Sequence, residues 1–335
     1  MKNRPLFIGN FLSKHFGTTS VSESIINDLS ATGLQLTYAS SKKNKLLRLF
    51  DVVFAVCFRS YSIVHVDVYS GSYFRIVSWT VFLARLKKRK VILTLHGGKL
   101  PELHAAKPEK VRYVLSKAHR INSPSQYLIR YFENQGFQIS YVPNSVDLDR
   151  FPFQQTTIHN HSLLWVRAFS TIYSPETAIF ALSILKTSYP DANLTMIGPD
   201  KGELHNVKKR IESLGLEEAV RITGPIANNQ LSGYFNTHSV FLNTTTYESF
   251  GVSVVEAAAS GIPIVSNKVG ELPYIWEDHK NILFIEENDP ISFANAIEEL
   301  WSDPELIQVL KKNARKQAES FDRKEILKTW ISIFE

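Results

Sequence analysis

Glu248-Ser249-Phe250-Gly251-Val252-Ser253-Val254-Val255-Glu256-Ala257-Ala258-Ala259-Ser260-Gly261-Ile262-Pro263 is the stretch on which the reading of this chain turns. Apolar runs flank it, Val240 to Asn243 before and Pro263 to Ser266 after, so it reads as strand, glycine-containing turn, helix, glycine stop, strand. Gly251 lets backbone come close to a ligand, and the free amides of Gly251, Val252 and Ser253 at the helix start offer partial positive charge to an anion such as phosphate. Glu256 falls about one and a half turns into the helix and Glu248 on the loop before it, so both carboxylates face one opening at different depths. Two carboxylates around a phosphate site suit a hydroxyl-rich ligand such as a ribose and a sugar. The plainer alternative is two charges favoured at a helix start by the macrodipole. Against it, Glu, Phe, Gly, Glu, Ala, Gly and Pro at these positions have a chance of about one in a million of recurring somewhere in such a chain.

Outward from this stretch the same alternation continues in both directions. Strands are expected at Leu163 to Val166, Ala192 to Ile197, Val220 to Ile222 and Ile282 to Ile285, with helices at Pro175 to Lys186, Gly202 to Leu214, Asn229 to Asn236, Pro290 to Trp301 and Pro304 to Ser320. An earlier series has strands at Leu6 to Phe11, Leu34 to Tyr38, Ser62 to Val68, Lys90 to Leu95, Arg120 to Asn122 and Ile139 to Val142. Helices at Ser20 to Ala31, Tyr73 to Lys88, Pro108 to Ser116 and Ser125 to Gln135 lie between them. The pattern predicts two doubly wound α/β domains joined by the strand-poor segment from Asn144 to Asn160. A length of 335 residues agrees, because one hydrophobic core rarely organises so long a chain. Ligands of such sheets bind beyond the carboxyl ends of the strands, so two facing domains imply a cleft between them.

With 44% hydrophobic and 21% charged residues, the chain falls outside the disordered, collagen-like and low-complexity classes. Its one cysteine, Cys57, rules out an intramolecular disulfide or a cysteine-rich zinc site, and its setting Phe54-Ala55-Val56-Cys57-Phe58 reads as core. The net charge of +6 is clustered: Lys42, Lys43, Lys45 and Arg48 form one group, and Arg85, Lys87, Lys88, Arg89 and Lys90 another. These read first as solvated helix ends, second as contacts with acidic lipid headgroups, and third, for want of a recognised motif, as a nucleic-acid surface. The apolar run near Leu6 is too short for a signal peptide, and Leu46 to Phe58 and Tyr73 to Leu86 fall short of a spanning helix, so any membrane contact is expected to be peripheral.

The Glu248 to Glu256 pattern resembles the E-x7-E signature of the family 4 retaining glycosyltransferases, which have the GT-B fold of two facing Rossmann-like domains. The resemblance runs over nearly the whole chain: Val142 to Phe151 looks like that family's interdomain linker, and Leu194 to Pro199 and Val220 to Gly224 like its second and third C-domain strands. It implies an N-terminal acceptor-binding domain at 1–150, a nucleotide-sugar-binding domain at 151–320, and a last segment at 321–335 that crosses back to the N-domain. That segment is amphipathic, with Ile326, Leu327, Trp330, Ile331 and Phe334 on one side.

By the same resemblance Glu248 contacts the donor sugar and Glu256 the ribose, while the amides of Phe250, Gly251 and Val252 hold the sugar and the diphosphate. Arg167 follows the first C-domain strand, where the family places an arginine that neutralises the leaving diphosphate. The family's partner lysine, about five residues later, is missing; Ile172 and Tyr173 stand there, which leaves Tyr173 or Lys99 as helpers. His96, in Thr94-Leu95-His96-Gly97-Gly98-Lys99, resembles the histidine near the reacting sugar, and Asn10 to Gly17 with Thr18 and Thr19 resembles the loop that approaches acceptor and donor phosphates. Gly17, Thr18, Gly97 and Lys99 are therefore the acceptor or phosphate loop residues, and Arg167, Glu248 and His96 the catalytic ones.

Asp147-Leu148-Asp149 matches a metal-binding D-x-D pattern but sits in the linker as turn and cap residues, and His159-Asn160-His161 lacks a further ligand at suitable spacing. Asn160, Asn193 and Asn243 head N-x-S/T sequons that carry no meaning without a secretory signal. The reading is a cytoplasmic retaining glycosyltransferase that needs no cofactor or metal. It moves a sugar from a nucleotide diphosphate sugar to a glycan or glycolipid acceptor in surface polysaccharide, lipopolysaccharide or glycolipid synthesis, with contact to an anionic membrane. An epimerase or hydrolase on the same scaffold, or a non-catalytic sugar-nucleotide binder, are the rival classes.

Overall fold

The computed structural model describes residues 4–12, 20–155 and 160–334. Two compact units emerge, one of residues 1–145 with 324–335 and one of residues 146–323. Each is a six-stranded, all-parallel sheet flanked by helices, the two-domain α/β Rossmann-like architecture.

Unit 1 runs β1 (Pro5–Ile8), α1 (Val21–Ala31), β2 (Thr37–Ala39), α2 (Lys45–Phe58), β3 (Ile63–Val68), α3 (Tyr73–Leu86), β4 (Lys90–Leu95), α4 (Leu100–Ala106), α5 (Pro108–Ser116), β5 (Arg120–Ser123), α6 (Gln126–Glu133) and β6 (Ser140–Tyr141). The strand order is β2-β1-β3-β4-β5-β6, so the direction of winding reverses between β1 and β3. Alternating side chains divide the sheet. Leu6, Ile8, Val64, Val66 and Leu93 face a core closed by α2, α3, α5 and α6, whereas Phe7, Ile63 and Ile92 face a second core that includes α1. The strand expected from Leu6 to Phe11 stops at Ile8, because Gly9 already lies against Asp67 and Ser22.

Two features of this unit go beyond the sequence reading. Leu46 to Phe58 is a complete helix, capped by Asn44 accepting from the amides of Leu46 and Leu47. Within Phe54 to Phe58 only Ala55 and Val56 are core; Phe54 and Phe58 lie in solvent. The basic run after α3 is also more than a solvated helix end. Lys87 Nζ donates to the carbonyls of Val56 at 3.2 Å and Cys57 at 2.7 Å, covering the carboxyl end of α2, while Arg89 sits over the Tyr61 ring and Arg85 pairs with His119.

Unit 2 comprises β7 (Ser162–Val166), α7 (Pro175–Leu185), β8 (Asn193–Ile197), α8 (Leu204–Ser213), β9 (Val220–Gly224), α9 (Leu231–Phe235), β10 (Val240–Asn243), α10 (Val252–Ser260), β11 (Ile264–Asn267), α11 (Leu272–Ile275), β12 (Leu283–Ile285), α12 (Pro290–Ser302) and α13 (Pro304–Glu319). Its order is β12-β11-β10-β7-β8-β9, with the reversal between β7 and β10. Leu163, Trp165, Leu194 and Met196 pack on α7, α8 and α12 on one face, and Leu164, Phe241 and Ile264 on α10 and α13 on the other. Asp147 pairs with Arg323 at 3.2 Å and Asp149 lies in a 3-10 turn, which suits the turn role read for that pair. His161 is held by Asp191 at 2.8 Å, and His159 lies outside the described residues.

The final helix, α14 (Arg323–Phe334), begins where the chain leaves unit 2, with the Arg323 amide donating to Val146 O at 2.9 Å. Its Ile326, Trp330, Ile333 and Phe334 complete the Phe7 core of unit 1, Phe334 lying 5.2 Å from the Phe7 ring. The Ile331 read as part of the apolar side is only half-buried, because the buried stripe follows positions 326, 330, 333 and 334.

Candidate functional site

In unit 2 the reversal point lies between the ends of β7 and β10, and the charged residues gather there. Arg167 leaves the end of β7, its amide held by Ile197 O of β8 at 3.0 Å. Its guanidinium donates through Nε and Nη2 to Asn243 Oδ1, at 3.2 and 2.9 Å, and through Nη2 to Glu248 Oε2 at 2.6 Å. Asn243 is fully buried at the end of β10 and donates in turn to Ser266 Oγ at 2.8 Å, so its orientation is fixed from behind. The Tyr173 ring covers the guanidinium at 5.4 Å.

Tyr173 holds that position because the 3-10 turn Thr171–Tyr173 is pinned to the loop after β10. Thr246 N donates to Ile172 O at 2.8 Å and Thr244 Oγ1 to Tyr173 O at 2.8 Å. The place of the absent lysine is thus filled by an aromatic ring on the arginine, with Ile172 turned to solvent. The Glu248 segment is fixed by Gly270, where an added Cβ would lie 2.0 Å from Glu248 O, and by the Glu271 amide, which donates to that carbonyl at 2.9 Å.

α10 starts as its sequence requires. Gly251 caps it at φ 87, a left-handed conformation open to glycine, and no side chain caps the first turn. The buried Ser253 Oγ has no hydrogen-bond partner among the described residues. The Phe250 side chain lies in the core edge-on to Phe321, so only its backbone can meet a ligand. Glu256 is half-buried, and burial pushes its carboxyl up to about 7, against the lowering influence of Arg167 and then Arg150. Arg167, Glu248, Glu256 and the bare helix start therefore make one cluster: a cation held by a buried amide, a carboxylate paired with it, and a second carboxyl poised near neutrality.

Unit 1 gathers a different set at its own reversal point. His96, one residue past β4, places Nε2 3.1 Å from Asp67 Oδ1, and its ring stacks on Tyr69 at 5.5 Å. Asp67 is buried on β3 and also accepts from Ser22 Oγ. Burial alone would raise its carboxyl; the His96 charge with the hydrogen bonds of His96 and Ser22 prevails and holds it below the usual range. His65, two residues earlier, is driven down to about 4 by burial and bonds Thr94 Oγ1 at 2.8 Å. Gly9 is confined, since an added Cβ would stand 2.5 Å from Asp67 Oδ2. Gly97 is pressed against the backbone of Tyr69 and Ser70, and Lys99 is exposed at the start of α4. Gly17 and Thr18 lie outside the described residues.

Asn243, Asp67 and Tyr69 were missed in the sequence. Asn243 stood in a sequon, yet its complete burial removes it from any surface modification, and its place at a strand end beside the reversal point was the usable signal. Asp67 was readable only as a charge inside an apolar strand.

Residues 159–317, a little under half of the chain, match the profile of the family described as glycosyl transferases group 1. The D-inositol 3-phosphate glycosyltransferase of Paenarthrobacter aurescens is 26% identical over 244 residues, covering 68% of this chain and 60% of that protein. Its Streptomyces avermitilis counterpart is 25% identical over 212 residues, covering 58% and 46%. The chain thus spans about half the length of the curated relatives it matches. Among solved structures, the sucrose-phosphate synthase of Thermosynechococcus elongatus superposes with a TM-score of 0.82 at 16% identity, over 99% of this chain and 98% of that one. Anabaena Alr3699/HepE in complex with UDP-glucose gives 0.74 at 17%, over 98% and 100%. These structures share the fold.

Proposed function

We propose that this chain is a family 4 retaining glycosyltransferase that moves a sugar from a nucleotide diphosphate sugar to an acceptor hydroxyl. The observation that carries the reading is the Arg167–Glu248–Glu256 cluster beside the uncapped start of α10. Arg167 spends Nε and Nη2 on Asn243 and Glu248, which leaves the Nη1 hydrogens for diphosphate oxygens. The amides of Gly251, Val252 and Ser253 take the remaining anionic oxygens. Glu248 accepts from sugar hydroxyls and Glu256 from the ribose. The relatives support the activity by name, and Alr3699/HepE is described in complex with UDP-glucose, which supports a nucleotide-sugar donor.

In the proposed reaction the acceptor oxygen bonds the anomeric carbon as the bond from that carbon to the phosphate oxygen breaks. The acceptor proton passes to the departing phosphate oxygen on the same face, so no separate enzyme base is needed. Arg167 and the α10 amides stabilise the negative charge growing on the diphosphate, a contribution of about 3–4 kcal/mol for a fixed donor of this kind. In unit 1, Asp67 and Ser22 fix His96 for the acceptor side of the reaction, with Gly97 and Lys99 following in the same loop. The activity serves surface polysaccharide, lipopolysaccharide or glycolipid assembly at the cytoplasmic face of a membrane and requires no metal or other cofactor.

The test is incubation of the full chain with UDP-, GDP-, ADP- and TDP-sugars with and without a panel of glycan and glycolipid acceptors, following the nucleoside diphosphate and the anomeric proton signal of the product. Acceptor-dependent release with the donor's anomeric configuration preserved is expected. Equal release without acceptor would make the chain a hydrolase, interconversion of the sugar an epimerase, and inversion would exclude the retaining reaction.

A further inference from the structure

A surface helix ordinarily turns a polar face to water, and α2 does not. Its outward side chains Leu46, Leu47, Phe50, Phe54 and Phe58 form one stripe, and each is between 58% and 76% exposed. The opposite side, Val52, Ala55 and Val56, is core. The helix's polar side chains are drawn away: Arg48 Nε donates back to Lys42 O at 2.7 Å, and Asp51 accepts from the Ser40 amide at 2.8 Å.

α3, packed beside α2, extends the stripe with exposed Trp79, Phe82 and Leu86, and the Trp79 and Phe82 rings meet edge to face at 6.1 Å. Next to them opens a hollow of about 380 Å³ lined by Arg75, Ser78, Trp79, Phe82 and Lys110, an apolar floor between two cations. Eight large apolar side chains on two adjacent helices make a continuous patch, unlike the scattered exposed residues of an ordinary surface.

The charge around this patch is strongly biased. Residues 42–90 carry eleven Lys or Arg against two acidic residues, a net +9 in a chain whose total is +6. Of the two acids, Asp67 is buried and Asp51 is tied to the Ser40 amide. Lys42 and Lys43 precede the stripe, and Arg59 and Lys88 follow α2 and α3. No described helix is long and apolar enough to cross a membrane.

We propose that the α2–α3 face of unit 1 docks on the surface of an anionic bilayer. α2, about 21 Å long, lies in the interfacial plane with its phenylalanines and leucines at the boundary between headgroups and acyl chains. Trp79 sits at headgroup level, and one anionic headgroup occupies the hollow between Arg75 and Lys110. The basic rim selects this occupant: a predominantly cationic border complements acidic lipid, whereas a second copy of the same face would repel it. The inference rests on this surface and is independent of the donor site in unit 2.

The experiment is co-sedimentation of the full chain with vesicles of phosphatidylcholine alone and of phosphatidylcholine with phosphatidylglycerol. At least tenfold tighter binding to the anionic vesicles is expected, falling as salt is raised, with a blue shift of tryptophan emission that Trp79→Phe removes. Phe50→Ser with Phe54→Ser should weaken binding at least tenfold with an unchanged melting temperature, since both side chains stand in solvent, and Arg75→Glu with Lys110→Glu should do the same. Absence of vesicle binding, or binding indifferent to the Phe50 and Phe54 pair, would overturn the proposal. A stable dimer in sedimentation equilibrium that this pair dissociates would give the face to a second copy and overturn it equally.

Discussion

At the reversal point of unit 2 an ion pair stands beside a helix start without a cap, whereas at that of unit 1 a buried carboxylate stands behind an imidazole. Arg167 and Glu248 keep 11% and 12% of their side-chain surface, and beyond them lie a helix start without a cap and a carboxyl near neutrality. In unit 1, Asp67 and His65 keep 2% each, and His96, stacked on Tyr69, keeps 9%. The first arrangement suits an incoming anion, because a guanidinium fixed by a buried amide still has donors to give. The second suits the orientation of one ring, because a buried carboxylate behind an imidazole fixes its tautomer and its tilt. Two similar sheets thus carry different groups at one topological feature, an ion pair beside a bare helix start in one unit and a buried carboxylate behind an imidazole in the other.

If unit 2 supplies charge, its arginine should carry the largest effect. Arg167→Ala is expected to lower kcat a hundred- to a thousandfold, about 3–4 kcal/mol, in steady-state assays of nucleoside diphosphate release. Arg167→Lys should recover only part, since an ammonium lacks the fork that bridges Asn243 and Glu248. An effect confined to KM would mean uniform binding and break the contrast.

Glu256 sharpens the same contrast through pH. Its carboxyl titrates at about 7 in the folded chain against an ordinary value of 4.5, so as pH rises the unfolded chain releases this proton first. Stability is therefore lost between those values, by about 3 kcal/mol once both states are ionised. Glu256→Gln should raise the melting temperature by several degrees at pH 8 and leave it unchanged at pH 4, as calorimetric scans across that range would show. An equal gain at both pH values would contradict the desolvated carboxyl.

In unit 1, Asp67→Asn should lower kcat about ten- to a hundredfold with donor affinity unchanged, and shift the pH profile of kcat, because it unfixes His96 without touching the diphosphate. A loss of donor affinity instead would erase the division between alignment and charge. The smallest effect belongs to Tyr173, whose ring over Arg167 contributes about 0.5–1 kcal/mol at an exposed site. Tyr173→Ala should weaken diphosphate binding two- to fivefold by titration calorimetry, and no change would make the ring a bystander.

The contrast also explains what could be read in advance. The unit 2 site lies largely within one contiguous segment, Glu248 to Pro263, where local turn and helix chemistry is written in neighbouring residues, and β10, α10 and β11 fall close to where the segment places them. The unit 1 set is spread over Gly9, Ser22, Asp67, Tyr69 and His96, so a single chain exposes only His96 with Gly97 and hides the carboxylate that holds it. Asn243 escaped for a related reason: its partner Arg167 lies 76 residues away and is brought near only by the parallel pairing of β7 with β10. α2 was misread because its pattern is apolar nearly all round, which signals burial; here one side of it meets solvent instead.

If Arg167 and the α10 start form a diphosphate site, titration calorimetry of the wild-type chain and Arg167→Ala with a nucleoside diphosphate and the matching monophosphate will reveal it. The wild type should bind the diphosphate at least tenfold more tightly than the monophosphate, and the variant should lose that preference. Equal affinities in the wild type, or a preference that survives in Arg167→Ala, would contradict it.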